Sequence, residues 1–386
     1  MKGKTIVLGI TGSVAAVKAF ELCRLLRKKG AEVQVVMSEA ALKLVGEQAM
    51  EWASGNKVIT SLSGATEHVQ LFGAKGKADL LLIAPATANT ISKIAMGIDD
   101  TPITTFATTA IGSKKPVIIA PAMHEPMYEH PIVKENLAKL EAMQRVRVIR
   151  PFIEDEKAKL KDVDEIVLEC EKALTKQTLS KKKVIITSGA TIEEIDPIRV
   201  LTSKSSGKTG REIAREAYRR GADVTLLHNG VVESAIASVE AKSGKEMLDA
   251  TIRELDKGAD FLVCAAAISD FSVKKSNEKI KSEKRFSLEL VPAEKLIEKA
   301  RKRFPKLKIA GFKAETNKSM KELEKIAKEF LRKNKLQLVV ANDVARNEMG
   351  SDINEVLIVS EKNNAVVKGE KEKIAKEICN QIEKII

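Results

Sequence analysis

Aromatic side chains are scarce in this sequence: ten Phe, two Tyr and one Trp among 386 residues. Proteins that hold single-stranded nucleic acids stack bases on aromatic rings, so the scarcity argues against such a partner despite a formal charge of +13. The excess of 66 basic over 53 acidic residues is interspersed rather than clustered. Glu322-Leu323-Glu324-Lys325 and Glu370-Lys371-Glu372-Lys373 have the pattern of solvated helix faces, and a basic balance also suits anionic small substrates. Cysteine is sparse too. Cys23, Cys170, Cys264 and Cys379 lie far apart with no CxxC spacing, which argues for a reducing compartment and against a zinc module. No apolar run approaches the ~20 residues that span a bilayer, and Lys2 and Lys4 lead straight into a strand rather than a secretory signal. A cytoplasmic protein that engages neither membrane nor nucleic acid is expected.

The segments that are present alternate between strand and helix. Thr5–Ile10 reads as a first strand, Thr11-Gly12-Ser13 as its turn, and 14–29 as a helix with an apolar stripe at Ala15, Ala19, Leu22, Cys23 and Leu26. Strands follow at Glu32–Met37, 77–84 and 116–120. A second start comes at Val184-Ile185-Ile186-Thr187, a β-branched run of the kind buried on both faces of a sheet. Ser188-Gly189-Ala190-Thr191 breaks it, and the next helix is expected to open near Ser205-Ser206-Gly207, where free backbone N–H groups seat an anion. Gly221-Ala222-Asp223-Val224 and Ala259-Asp260-Phe261 echo Gly30-Ala31-Glu32-Val33 and Ala78-Asp79-Leu80 of the first half. A parallel strand is predicted at 335–340, a hairpin from 355–359 and 365–368, and a last helix from Lys371 to Ile385. The fold class is therefore α/β: two doubly wound Rossmann-like domains with mostly parallel sheets, the second ending in an edge hairpin.

Turn chemistry narrows the ligands. Gly9-Ile10-Thr11-Gly12-Ser13 is not GxGxxG, and the second strand ends in Ser38 rather than in an acid for an adenosine ribose. A single phosphate group, as in FMN, suits this turn better than NAD; an ordinary strand-to-helix turn is the alternative. Pro85-Ala86-Thr87-Ala88-Asn89-Thr90 puts hydroxyls and an amide where open α/β sheets bind ligands, although Thr and Asn are also common helix caps. Pro121-Ala122-Met123-His124 holds the matching place after the fourth strand. His68 and His124 are two of only four histidines, and a lone loop histidine is more commonly structural than catalytic. Pro126 and Pro131 break the helix that would gather His124, Glu125 and His130, so no metal site is assigned. Ser206-Gly207-Lys208-Thr209 imitates the end of a P-loop, but Thr202 stands where its first glycine belongs. Lys274, Lys275, Lys279 and Lys281 form a basic loop after Asp270, either solvated or a phosphate-clamping lid.

In this order and spacing the motifs resemble a known family over nearly the whole chain. It is the bifunctional enzymes of coenzyme A biosynthesis, in which phosphopantothenoylcysteine decarboxylase is fused to phosphopantothenate–cysteine ligase. The first domain, 1–178, is similar to flavin-dependent cysteine decarboxylases through Gly-Ile-Thr-Gly-Ser at 9–13, His68, Ala-Pro-Ala-Thr-Ala-Asn-Thr at 84–90 and Pro-Ala-Met at 121–123. The second, 179–386, resembles the ligase through Thr-Ser-Gly-Ala-Thr at 187–191, Asp-Pro-Ile-Arg at 196–199, Ser-Ser-Gly-Lys at 205–208, Asp270, Lys-Ile-Lys at 279–281, Gly-Phe-Lys-Ala-Glu-Thr at 311–316 and Ala-Asn-Asp at 341–343.

The resemblance implies that CTP, with Mg²⁺, activates the carboxylate of 4′-phosphopantothenate as an acyl-nucleotide, which the amine of cysteine attacks. It assigns the nucleotide to Gly189, Ala265, Ala266, Asp270, Lys279, Phe312 and one of Lys328, Lys333 and Lys335, taken as Lys333. The acid substrate falls to Arg199, Ser206 and Lys208, and catalysis to Lys279 and Ser203. In the first domain FMN would rest on Gly12, Ser13, Ser38, Thr87 and Asn89 and oxidise the cysteine moiety to a thioaldehyde that loses CO₂. His68 would be the acid–base residue, with His124 and Met123 at the substrate. A homo-oligomer is also implied. Three positions depart from the family pattern: His124 and Ser203 stand in place of asparagines, and Ile153–Leu160 lacks the cysteine that protonates the ene-thiol. Glu156, Lys157 and Lys159 are the candidate substitutes. Two other readings stand beside this one: a ligase with an incomplete decarboxylase, and a non-catalytic flavin- or nucleic-acid-binding regulator.

Overall fold

The β-branched runs become strands because both their faces are covered. All six residues of Thr5–Ile10 are buried; Ile6, Leu8 and Ile10 enter one apolar cluster and Val7 the opposite one, the period-2 alternation of a central strand. The computed structural model describes residues 1–281, 287–346 and 350–386, and these form two compact units, Met1–Thr175 and Lys176–Ile386.

The first unit contains β1 (Thr5–Ile10), β2 (Glu32–Met37), β3 (Leu80–Ala86), β4 (Val117–Pro121), β5 (Met123–His124), β6 (Val146–Val148), β7 (Phe152–Glu154) and β8 (Lys157–Lys159). Five of them form a wholly parallel sheet in the order β2-β1-β3-β4-β6. A separate antiparallel sheet, β5-β8-β7, follows β4. The helix predicted over 14–29 divides into a 3-10 turn, Val14–Lys18, and an α-helix, Ala19–Lys28. Ser13 caps the 3-10 turn through its hydroxyl, which accepts from Ala15 N–H. The third strand starts later than predicted and runs on to Ala86.

The second unit comprises β9 (Lys183–Ser188), β10 (Ile192–Glu194), β11 (Val200–Thr202), β12 (Asp223–His228), β13 (Ala237–Glu240), β14 (Phe261–Cys264), β15 (Phe271–Val273), β16 (Leu290–Pro292), β17 (Lys308–Glu315), β18 (Leu338–Asp343), β19 (Ile353–Ser360) and β20 (Asn364–Glu370). Eight of these form one sheet in the order β13-β12-β9-β14-β17-β18-β19-β20. It is parallel as far as β18; β19 and β20 run antiparallel to their neighbours as the expected edge hairpin. The pairs β10–β11 and β15–β16 lie outside it. One face packs a cluster that includes Leu262, Ile309, Val339, Leu296, Leu323 and Ala327. On the unit's other helical layer, Lys208–Arg219 packs along the last helix, Lys371–Ile385. Arg220 joins the two: its guanidinium donates to Glu216 at 2.8 Å, Glu383 at 2.7 Å and the Lys376 carbonyl at 3.1 Å.

Candidate functional site

In the first unit, the strand order reverses direction between β1 and β3, the crevice where flavodoxin-like 2-1-3-4-5 sheets take their ligand. Thr11 stitches that crevice: its hydroxyl donates to the Pro85 carbonyl at 2.7 Å and accepts from Thr87 N–H at 3.0 Å. Thr87 then caps the helix Ala88–Met96, accepting from Thr90 N–H, and Asn89 is exposed in its first turn. Ser38 caps the short helix Glu39–Leu42 and donates its N–H to the Ile10 carbonyl. That brings Ala40 against the first turn so closely that a Cβ on Gly12 would lie 2.4 Å from the Ala40 Cβ. Gly12, Ser13, Ser38, Thr87 and Asn89 therefore converge on the carboxyl ends of β1, β2 and β3. His68 lies on the helix Glu67–Phe72, its ring edge-on to Phe106 at 6.5 Å. Its Nδ1 is buried with no hydrogen-bond partner among the described residues, an orphaned polar atom of the kind that a bound group satisfies.

The stretch 152–159 is a hairpin, β7–β8, laid antiparallel on β5. Register puts His124 opposite Lys157 and Lys157 opposite Glu154, so these three share one face; Met123, Ala158 and Ile153 share the other. Lys159 donates to Glu154 at 2.6 Å and Asp155 at 2.9 Å, and both contacts raise its pKa. The tip is tied down by Glu125 N–H donating to the Glu156 carbonyl at 2.9 Å.

In the second unit, a cavity of about 610 Å³ lies over the carboxyl ends of β14, β17 and β18. Ser206, Lys208, Ala265, Ala266, Asp270, Phe312 and Lys333 all line it. Gly207 opens the helix Lys208–Arg219 at φ +72°, 3.0 Å from Gly189 Cα were it to carry a Cβ, and it leaves the helix without a side-chain cap. Ala265 N–H donates to the Thr187 carbonyl, Ala266 N–H to the Thr187 hydroxyl and Ala267 N–H to the Gly189 carbonyl. Those three N–H groups are therefore engaged within the fold, as is the Ala267 carbonyl, which accepts from Thr191 N–H at 3.2 Å. Asp270 is ion-paired with Lys295, which also lines the cavity.

Gly189, Arg199, Ser203 and Lys279 are not among the cavity's lining residues. Gly189 supports the wall from behind, and Ser203 accepts from Ser205 N–H at 3.4 Å within the loop that leads to the helix. Arg199 donates to Asp196 at 2.5 Å and to the Ile280 carbonyl at 3.1 Å, while Ile280 N–H donates to the same aspartate. Lys279 is thus anchored through its neighbour. Burial pushes the Asp196 carboxyl up, but the N–H groups of Ile198, Arg199 and Ile280 and the Arg199 guanidinium outweigh it and hold the pKa at about 2. One residue was misread from sequence: Lys371, assigned to a solvated face, is only 8 % exposed and lines the cavity.

Two family models divide the chain, "Flavoprotein" over residues 1–175 and "DNA/pantothenate metabolism flavoprotein C-terminal domain" over 179–386. The coenzyme A biosynthesis bifunctional protein CoaBC of Thermococcus kodakarensis is 46 % identical, covering 100 % of this chain and 96 % of that one. The protein of the same name from Methanocaldococcus jannaschii is 35 % identical, covering 100 % and 95 %. Among solved structures, the C-terminal domain of a coenzyme A biosynthesis bifunctional protein CoaBC matches at 28 % identity and TM-score 0.45, covering 54 % of this chain and 97 % of that domain. On its end-to-end match to these relatives, the chain belongs to the family of coenzyme A biosynthesis bifunctional proteins CoaBC.

Proposed function

We propose that this chain joins 4′-phosphopantothenate to cysteine and decarboxylates the product to 4′-phosphopantetheine. The observation that carries the reading is that one chain, similar end to end to bifunctional relatives, has a strand-order switch point in its first parallel sheet and a cavity over the carboxyl ends of the strands of its second. In the ligase half, the carboxylate of the acid attacks the α-phosphate of CTP, and pyrophosphate leaves. The amine of cysteine then attacks the acyl carbon and the nucleoside monophosphate leaves. Lys279, anchored through Ile280, would neutralise charge building on the phosphate oxygens, with Lys333 and Phe312 beside the nucleotide. Carbonyl oxygens at Ala265 and Ala266 suit an exocyclic amine, which cytosine carries. Asp270 would hold the ribose, Ser206, Lys208 and Arg199 the acid, and Ser203 and Gly189 the loop shape. Mg²⁺ enters with the triphosphate.

In the decarboxylase half, the crevice at Gly12, Ser13, Ser38, Thr87 and Asn89 fits a flavin phosphate, and His68 has a buried nitrogen to satisfy. Bound FMN supplies the two-electron acceptor and donor that a redox-neutral decarboxylation requires. His68 would take the thiol proton of the substrate. His124 and Lys157, side by side on the hairpin face, would meet its carboxylate, with Met123 packed beneath. The final proton would come from this hairpin, and Lys157 is the better candidate because Lys159 is held by two carboxylates. We infer a homo-oligomer working in the cytoplasm; light scattering on purified protein tests the first point. Incubation with 4′-phosphopantothenate, cysteine, CTP and Mg²⁺, followed by mass spectrometry, tests the chemistry. 4′-Phosphopantetheine is expected; phosphopantothenoylcysteine alone would withdraw the decarboxylase half.

A further inference from the structure

The second unit has another cavity at the opposite edge of its sheet, where strands begin. Its volume is about 560 Å³, within the range of small-molecule sites. Three strands start beside it: register sets Phe261 of β14 next to Val184 of β9 on one side and Lys308 of β17 on the other. Leu255, Ala259, Phe304, Pro305 and Leu307 form an apolar wall. Arg301 fixes part of that wall from behind, donating to the carbonyls of Pro305 at 2.8 Å, Leu307 at 2.7 Å and Lys335 at 2.8 Å. Its shape is thus set by the backbone rather than by loose side chains.

The charges around the wall do not balance. Lys182, Arg303, Lys306 and Lys308 line the cavity against a single acid, Asp260. Arg303 is taken up by Asp256, donating from Nε at 3.0 Å and from Nη2 at 2.8 and 2.9 Å. Asp260 answers Lys182 at 3.7 Å, and its other oxygen accepts from Lys183 N–H at 2.9 Å. That leaves two cations. Lys308 reaches a neutral acceptor, the Ile385 carbonyl, at 2.7 Å, and Lys306 is exposed with no partner among the described residues. Helix ends do not account for this pair. Arg301, Lys302 and Arg303 fill the last turn of helix Leu296–Arg303, where cations complement the negative dipole end, but Lys306 and Lys308 come after it. Lys181 and Lys183, exposed on either side of Lys182, strengthen the positive field.

We propose that this cavity binds a small phosphate monoester with an apolar body, its phosphate on Lys306 and Lys308 and its body against Phe304, Pro305 and Leu307. Two ammonium groups without a carboxylate match the charge of about −1.5 to −2 that a phosphate monoester carries at pH 7. Lysine is a compact point charge suited to such a group. The site takes no part in ligation. β14 and β17 run from it to Cys264 and Phe312 in the wall of the catalytic cavity, so its occupant is separated from the reacting groups by the length of the strands.

The test is calorimetric titration of 1-naphthyl phosphate into the full chain and into Lys306→Gln/Lys308→Gln. Wild type is expected to bind at a site that the double variant weakens at least tenfold, roughly what the loss of two charge-assisted contacts removes. Inorganic phosphate and 1-naphthol should each bind that site more weakly than 1-naphthyl phosphate, because each lacks one half of the recognition. Ligation by the double variant should keep the wild-type kcat and KM for CTP and for 4′-phosphopantothenate. Lys306→Glu, a change at an exposed position, should weaken the probe as well and serves as the second variant if loss of the Lys308 bond to Ile385 impairs folding. No binding by wild type, equal binding by wild type and the folded variants, or 1-naphthyl phosphate binding no tighter than inorganic phosphate would overturn the proposal. So would a raised KM for either ligase substrate, which would place these lysines in the catalytic cavity instead.

Discussion

Asp196 shows how one residue can carry both stability and site geometry. Its folded pKa of about 2 lies below the ~3.9 of an unfolded aspartate. The ionised carboxylate therefore contributes stability that is complete above pH ~4 and is lost as pH falls towards 2. Wild type should lose more thermal stability between pH 5 and pH 2.5 than Asp196→Asn, which has no carboxyl to titrate; parallel curves would show that the bonds to Ile198, Arg199 and Ile280 contribute nothing. The same substitution loosens the Arg199–Ile280 link, so ligase kcat/KM is expected to fall roughly 10- to 100-fold through misplacement of Lys279. Legibility at this scale is uneven. Residues whose chemistry depends on a turn, such as Gly12, Thr87 and Gly207, stand in recognisable motifs. Lys371 does not, because the run Glu370-Lys371-Glu372-Lys373 gives no sign of which lysine the helix start turns inward. Only the packing of helix Lys371–Ile385 on Lys208–Arg219 decides that.

Among the elements, the hairpin β7–β8 was the least visible in sequence. Its strands have three residues each, too short for alternation to register, and its turn, Asp155-Glu156, has neither Gly nor Asn. Both turn residues nonetheless adopt left-handed backbone, φ 50° and 58°, which a two-residue turn of this hand requires and which costs an L-residue ~1 kcal/mol or more. Glu156→Gly should relieve that strain and raise the unfolding free energy of the first unit by roughly 0.5–1 kcal/mol, read as a shift in denaturant midpoint at constant slope. Glu156→Ala keeps the strain and should not. The glycine variant also separates the candidate acids of the hairpin. Undiminished 4′-phosphopantetheine output would remove Glu156 and leave Lys157; a stop at the oxidised ene-thiol would make Glu156 the donor. By contrast, the helix Lys371–Ile385 and the strand β1 were legible to the residue, because long periodic segments bounded by a capable start and stop leave little choice.

For the molecule as a whole, two strand-glycine-helix starts some 180 residues apart already implied two sheets, and the strand orders supply what periodicity cannot: which ends lie side by side. Each unit also has apolar clusters of its own. Two clusters of the first unit are built from residues up to Leu174, and one of the second from residues between Ile185 and Val359, with Phe304 and Phe330 packed against it. The two half-reactions are carried by residues of different units, and they should fail separately. Lys279→Ala, on an exposed loop, should reduce ligation roughly 100- to 1000-fold by removing charge stabilisation, yet still convert supplied phosphopantothenoylcysteine at the wild-type rate. His68→Gln, which keeps a polar side chain beside Phe106, should do the reverse: phosphopantothenoylcysteine accumulates from 4′-phosphopantothenate, cysteine and CTP, and little is decarboxylated. Mixing the two variants should restore 4′-phosphopantetheine, because the intermediate is a diffusible molecule that either crevice can receive from solution. If the mixture fails while each variant retains its own half-reaction, the intermediate must pass from one site to the other without release to solvent.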